Sequence, residues 1–315
     1  MVTAYINRIA TAVPRHDVHQ TFLDFAHSRL ATDGRNELLF ARMAEKSGIE
    51  HRYSDFAPAP ANSRSVDGDG FYRFSDFPDT GARMKLFAER APKLAQEAVE
   101  KLLPREERAS ITHLVMTCCT GFSAPGVDVQ LIERCGLSPS VERSVIGFMG
   151  CYAAINALKL AHHIVRSTPD ARVLTVNLEL CTLHLQETDN LEQMLSFLLF
   201  GDGCAAALIT ADSHGIGLDS FRALLVPDTQ DWITWNIGGQ GFDMVLSGQV
   251  PAGILSGLQS GKREILGNAQ VEEIDLWAVH PGGRTVLDAV ERALSLPPDK
   301  LGFSRDILRR FGDRK

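Results

Sequence analysis

Along the middle of the chain, short continuous apolar runs alternate with longer stretches in which apolar positions recur every three or four residues. The first kind predicts buried strands over 111–117, 144–148, 172–180 and 204–210, and a later one over 274–279. The second kind predicts helices over 127–135, 152–165 and 284–294. Strands that are apolar on both faces must be covered on both, so the alternation predicts a layered α/β fold with helices on either side of a sheet. The first hundred residues read differently. They predict a helix over 38–47 that stops near Gly48 and an amphipathic helix over 84–103. Between them, 57–79 is rich in Pro, Ser, Asp and Gly and reads as a surface loop.

The pattern also repeats. The stretch Thr112-His-Leu-Val-Met-Thr-Cys-Cys-Thr-Gly121 has the form of Asp275-Leu-Trp-Ala-Val-His-Pro-Gly-Gly283: an apolar strand, a turn of small residues, then a helix. In the first copy a further strand and tight turn place Cys151 33 positions after Cys118. The same interval from His280 lands on Asp313, two residues before the last. The expected architecture is therefore two duplicated halves, 1–212 and 213–315. The second is incomplete, lacking another strand, turn and helix and a closing hairpin.

With 315 residues, 44% of them hydrophobic, the chain can bury a sizeable core. A net charge of −7 argues against a general nucleic-acid binder, so an anionic ligand must meet a local basic patch. Residues 1–16 carry no secretory pattern, and the longest apolar run, 194–200, is too short to cross a bilayer. No membrane insertion and a cytoplasmic location are expected. The six cysteines, at 118, 119, 135, 151, 181 and 204, form no C-x-x-C pair, which speaks against structural zinc and a disulfide framework.

One cysteine has a chemically suggestive setting. An apolar strand ends at Phe148, Gly150 permits a tight turn, and an Ala-rich helix opens with Cys151 in its first turn. The positive end of the helix dipole favours a thiolate there, and a thiolate can attack a thioester carbonyl to give an acyl enzyme. The other five cysteines read as small buried apolar residues. His280 ends the 274–279 run, and Pro281, Gly282 and Gly283 then open a turn whose backbone N–H groups approach whatever binds. Strand-end crevices of α/β folds bind ligands, and an imidazole in one can pair with a thiolate or donate to a developing oxyanion.

At these residues the chain resembles the type III polyketide synthases, the family of chalcone synthase and bacterial alkylresorcinol synthase. The strongest motifs are Gly147-Phe-Met-Gly-Cys151-Tyr-Ala-Ala154, Phe200-Gly-Asp-Gly203 and Trp277-Ala-Val-His280-Pro-Gly-Gly283. Supporting stretches are Arg42-Met-Ala-Glu-Lys46-Ser-Gly-Ile49, Thr120-Gly-Phe-Ser-Ala-Pro-Gly126 and Glu179-Leu-Cys-Thr-Leu-His-Leu-Gln186. The resemblance implies a homodimeric thiolase-like fold with no permanently bound cofactor. Acyl-CoA and malonyl-CoA would be the substrates, joined by decarboxylative Claisen condensation on a cysteine thioester. It makes Cys151 the nucleophile and His280 its partner and oxyanion donor. Phe200 becomes a gatekeeper of the cavity, with a second near Phe242 or Met244. Cys181 and His184 become cavity-lining residues, and Arg42 and Lys46 bind coenzyme A phosphates, with Leu39 where a third cation would stand.

One departure is large. The family carries an asparagine in a Gly-Asn-Met-Ser-Ser motif, which helps stabilise the decarboxylation enolate. Here Gly312 is followed by Asp313-Arg-Lys315, which predicts a truncated or frameshifted reading frame and a carboxylate that opposes the reaction. Two alternatives are a ketoacyl synthase III-like condensing enzyme, disfavoured by Pro-Gly-Gly after the histidine, and a non-catalytic remnant that binds acyl-CoA or dimerises.

Overall fold

The structure, a computed structural model, describes residues 2–313. Its strands are β1 (Ala4–Ala12), β2 (His16–Asp17), β3 (Tyr53–Ser54), β4 (His113–Cys118), β5 (Glu142–Gly147), β6 (Val173–Leu180), β7 (Asp202–Thr210), β8 (Ile216–Leu218), β9 (Ile233–Gly238) and β10 (Gly241–Leu246). Six of them form one sheet in the order β5-β4-β6-β7-β1-β8. Pairing is parallel on both sides of β4 and antiparallel from β6 outward. Two small antiparallel ribbons, β2 with β3 and β9 with β10, stand apart from it.

Side chains alternate across this sheet with the period of two that a pleated strand imposes. Leu114 and Met116 of β4, with Leu174, Val176 and Leu178 of β6, enter one core beneath the Thr80–Leu102 helix. Val115 and Val173, one residue out of phase, enter a second core against Ala157, Ala161 and Val165 of the Ala153–Ser167 helix. Each such side chain, fully buried, contributes roughly 1.5–3 kcal/mol. The α/β layering is thus as expected, and the strands predicted in the first half begin and end within two residues of β4, β5, β6 and β7.

The predicted strand over 274–279 is not formed. That segment finds no neighbouring strand among the described residues, and a strand exists only where a partner satisfies its backbone groups. Trp277 and Val279 instead pack on a small cluster that includes Ile49, Leu287 and Val290, while Leu276 is 79% exposed. The helix that follows, Arg284–Leu294, is present as predicted. Residues 57–79 are irregular, yet not merely a surface loop. The Asp67 carboxylate accepts from the backbone N–H groups of Asp69, Phe71 and Tyr72, and Tyr72 and Phe77 are buried. Among the described residues, no helix is long and apolar enough to cross a membrane.

Candidate active site

Between β5 and the helix behind it the chain reverses sharply. Phe148 at φ 53° and Gly150 at φ 61° both adopt left-handed backbone, and Cys151 follows in the 3-10 turn Gly150–Tyr152 that leads into the Ala153–Ser167 helix. A Cβ at Gly150 would meet nothing within 4 Å, so the backbone angle rather than room demands glycine. Phe148 has a side chain to hold it in that strained conformation: its ring lies 4.9 Å from Phe122 and 5.6 Å from Phe242. Cys151 is partly exposed, whereas the other five cysteines are buried. Burial pushes the Cys118, Cys135 and Cys204 thiols up, which keeps them protonated and inert.

The donor atoms of Cys151, His280 and Asp313 lie within 4.8 Å of one another. Asp313 reaches this point because its backbone pairs with the segment before β7. Its N–H donates to Leu199 O at 2.7 Å and its carbonyl accepts from Gly201 N–H at 3.0 Å, a parallel bridge opposite Phe200. Gly312, at φ 68°, makes the approach possible, since a Cβ there would sit 2.7 Å from Leu199 O. The Asp313 side chain is 3% exposed and the His280 ring 42%. Asp313 Oδ1 stands 3.2 Å from His280 Nε2, yet that oxygen is enclosed and makes no aligned hydrogen bond among the described residues. Partial burial works against charge on His280, but attraction from Asp313 and then Cys151 outweighs it and raises the imidazole to about 11.

Beyond Phe200 opens a largely apolar cavity with walls that include Phe22, Phe56, Cys181, Phe197, Trp235 and Met244. Neither Cys151 nor His280 lines it; Phe200 is the residue that both borders the cavity and pairs with Asp313. Of the two positions considered for a second gatekeeper, Met244 lines the cavity and Phe242 is enclosed. His184 does not line it either. Its Nε2 meets Thr120 O at 2.7 Å, its Nδ1 accepts from Phe242 N–H at 3.0 Å, and its ring stacks on Phe242 at 4.1 Å. This fully buried histidine ties together three chain segments.

The sequence reading missed Arg52. Its guanidinium is buried and donates through Nη1 to Phe197 O at 2.6 Å and to Phe200 O at 2.7 Å, bracing the backbone on which Phe200 and Asp313 depend. Burial lowers it to about 10, which leaves it charged at neutral pH. Nothing in the local pattern separates this arginine from a surface one. Arg42 and Lys46 lie exposed on the Gly34–Ser47 helix, which Asp33 caps and Gly48 ends in left-handed backbone. Neither forms an ion pair among the described residues. The Lys46 carbonyl accepts from Arg284 Nη1 at 3.3 Å, so this helix end adjoins the turn at Gly282 and Gly283. A Cβ on Gly282 would contact His280 Nε2 at 3.7 Å and Asp313 Oδ2 at 3.8 Å, which puts that glycine against both side chains.

Comparison with known proteins gives the family. Residues 3–213 match the profile for the N-terminal domain of chalcone and stilbene synthases, and residues 218–314 match that for the C-terminal domain. The chain belongs to the chalcone and stilbene synthase family. It is a type III polyketide synthase by descent, of the acyltransferase class that condenses acyl units, and this sets aside the ketoacyl synthase III alternative. Alpha-pyrone synthesis polyketide synthase-like Pks18 of Mycobacterium tuberculosis is 34% identical over 98% of this chain and 80% of its own. Bisdemethoxycurcumin synthase of Oryza sativa is 32% identical over the same shares. Among solved structures, 1,3,6,8-tetrahydroxynaphthalene synthase of Streptomyces coelicolor superposes with a TM-score of 0.85 at 28% identity, over 98% of this chain and 86% of that one. A polyketide synthase of the brown alga Ectocarpus siliculosus gives 0.86 at 27%, over 99% and 86%. The thiolase-like fold expected of the family is therefore the fold of this chain.

Proposed function

We propose that this chain takes a starter acyl group from a coenzyme A thioester onto Cys151 and extends it with malonyl-CoA, forming a pyrone, resorcinol or phloroglucinol type product. The observation that carries this reading is the contact of a partly exposed thiol with a charged imidazole, linked through Asp313 and Phe200 to an apolar cavity. His280, as imidazolium, would hold the Cys151 thiolate, which attacks the thioester carbonyl and expels the coenzyme A thiol. Malonyl-CoA would then lose carbon dioxide, and the enolate would attack the acyl-enzyme carbonyl and release the Cys151 sulfur. Arg42 and Lys46 are suited to coenzyme A phosphates, with Gly282 and Gly283 at the pantetheine end. Phe200, Cys181 and Met244 would set how long a chain the cavity takes. No resident cofactor enters these steps.

A second reading, loading without extension, is favoured by Asp313. An enolate oxyanion needs donors, and a carboxylate beside His280 Nε2 supplies an acceptor and repels the malonyl carboxylate. Incubating the protein with a fatty acyl-CoA, alone and with malonyl-CoA, separates the two. Acylation of Cys151 seen by intact mass, with a released polyketide, supports synthesis; acylation alone supports loading. A sulfur that is never acylated in the folded protein rejects both, and Cys151→Ala must abolish whichever signal appears.

A further inference from the structure

We infer that Cys151, His280 and Asp313 together form a binding site for a borderline-soft divalent cation of the Zn²⁺ type. The spacing of the cysteines gave no hint of this, because the ligands come from three places far apart in sequence. Their donor atoms, one sulfur, one ring nitrogen and one carboxylate oxygen, fall within 4.8 Å of one another. A tetrahedral zinc with bonds of about 2.0–2.3 Å holds such donors about 3.2–3.6 Å apart. The His280 Nε2 to Asp313 Oδ1 separation, 3.2 Å, is already at that spacing. Closing the set therefore asks only a modest movement of the Cys151 side chain.

A second observation points the same way. Asp313 is buried, its backbone is fixed by both bridge hydrogen bonds, and its Oδ1 has no aligned hydrogen-bond partner among the described residues. An enclosed carboxylate oxygen held only by the ion-pair contact with His280, without an aligned hydrogen bond, is incompletely satisfied, and a cation is one way to complete it. The mixed donor set selects among cations. Magnesium and calcium require oxygen ligands in larger number, whereas sulfur with imidazole favours zinc or cobalt. Thiolate and carboxylate would neutralise the dication, the imidazole would bind unprotonated, and the displaced protons would pass to solvent. The partly exposed His280 side leaves a fourth position open to water.

Occupancy would mask the nucleophile, so the metal and an acyl group would compete for the same sulfur. The site does not depend on the condensing reaction, and binding is measured on the free protein without any acyl donor. Failure here therefore leaves the acyl-transfer reading standing, and the reverse holds too. The test is titration of Co²⁺ into the purified, phosphine-reduced chain. The expected result is one equivalent bound, with a thiolate-to-cobalt charge-transfer band and the intense d–d bands of a tetrahedral site, both displaced by Zn²⁺. The band should vanish in Cys151→Ser. Asp313→Asn should weaken binding by roughly a hundredfold, since even partners outside the ligand set contribute about 10–100-fold. Zn²⁺ should also slow iodoacetamide labelling of Cys151, with recovery on adding EDTA. Absence of the charge-transfer band in the native chain overturns the proposal and leaves Asp313 as a counter-ion of the imidazolium. A band of unchanged strength in Cys151→Ser overturns it equally, because the metal would then sit on another thiol.

Discussion

At the residue scale, Asp313 decides the most. Replacing an oxyanion donor with an acceptor removes an interaction worth on the order of 10²–10³ in rate. Asp313→Asn is accordingly expected to raise malonyl-CoA extension by about that factor while leaving single-turnover acylation of Cys151 much less affected; quench-flow with product analysis reads both. The same carboxylate governs pH behaviour. His280 titrates near 6.5 when unfolded and at about 11 in the folded chain. Its raised value means that the stabilisation it provides is complete below about pH 6.5 and is lost progressively as pH climbs toward 11. Urea unfolding should show stability falling between pH 7 and 10, less steeply in Asp313→Asn, with the imidazole resonance titrating at lower pH in that variant. The setting of Cys151 was legible beforehand because strand, glycine turn and helix are neighbours in sequence, and that of His280 from its glycine turn and helix, although the strand expected before it does not form. Asp313 was legible as a position, from the 33-residue interval and the family slot, while its contact with the imidazole was not. Arg52 and the locked ring of His184 were not legible at all, since burial and hydrogen-bond partners are set by distant segments.

At the scale of elements, the segment from Leu199 to Gly201 is a junction. It continues from the Leu191–Leu199 helix into β7, carries Phe200 at the cavity and receives Asp313 along its edge. Arg52 holds it from beneath by the Phe197 and Phe200 carbonyls. Removing that guanidinium takes a charged donor from two backbone carbonyls, each loss costing about 1–3 kcal/mol. Arg52→Leu should therefore lose about 3 kcal/mol in chemical denaturation. Arg52→Lys should recover little of it, because an ammonium lacks the planar fork. In the sheet, Leu174→Ala should cost about 2–5 kcal/mol, as a cavity opens between β6 and the Thr80–Leu102 helix.

For the whole molecule, the exposed edge of the sheet sets the expectation. β5 has β4 on one side and no strand on the other among the described residues. Val145 on it is 54% exposed, with Met149, Tyr152 and Ile155 also exposed just beyond. An open edge flanked by apolar side chains pairs readily with another chain, and the homodimer that the family resemblance implies is expected to use this edge. Sedimentation should show a dimer whose dissociation constant rises roughly tenfold or more in Val145→Lys, equivalent to about 1.4 kcal/mol or more. A monomer at all concentrations would reject that assembly.

What the sequence determined by itself was local. Apolar periodicity and turn chemistry specify a strand, a reversal and a helix within some twenty residues, and so the first-half layers and the setting of Cys151 followed from it. The tertiary structure decided what depends on partners. Residues 274–279 carry a strand's pattern but have no strand beside them among the described residues, so they form none. A thiol, an imidazole and a carboxylate separated by 129 and then 33 positions meet at one point because the Leu199–Gly201 backbone captures the chain at Asp313. Periodicity carries no information about such a meeting, which is set by the packing of whole elements.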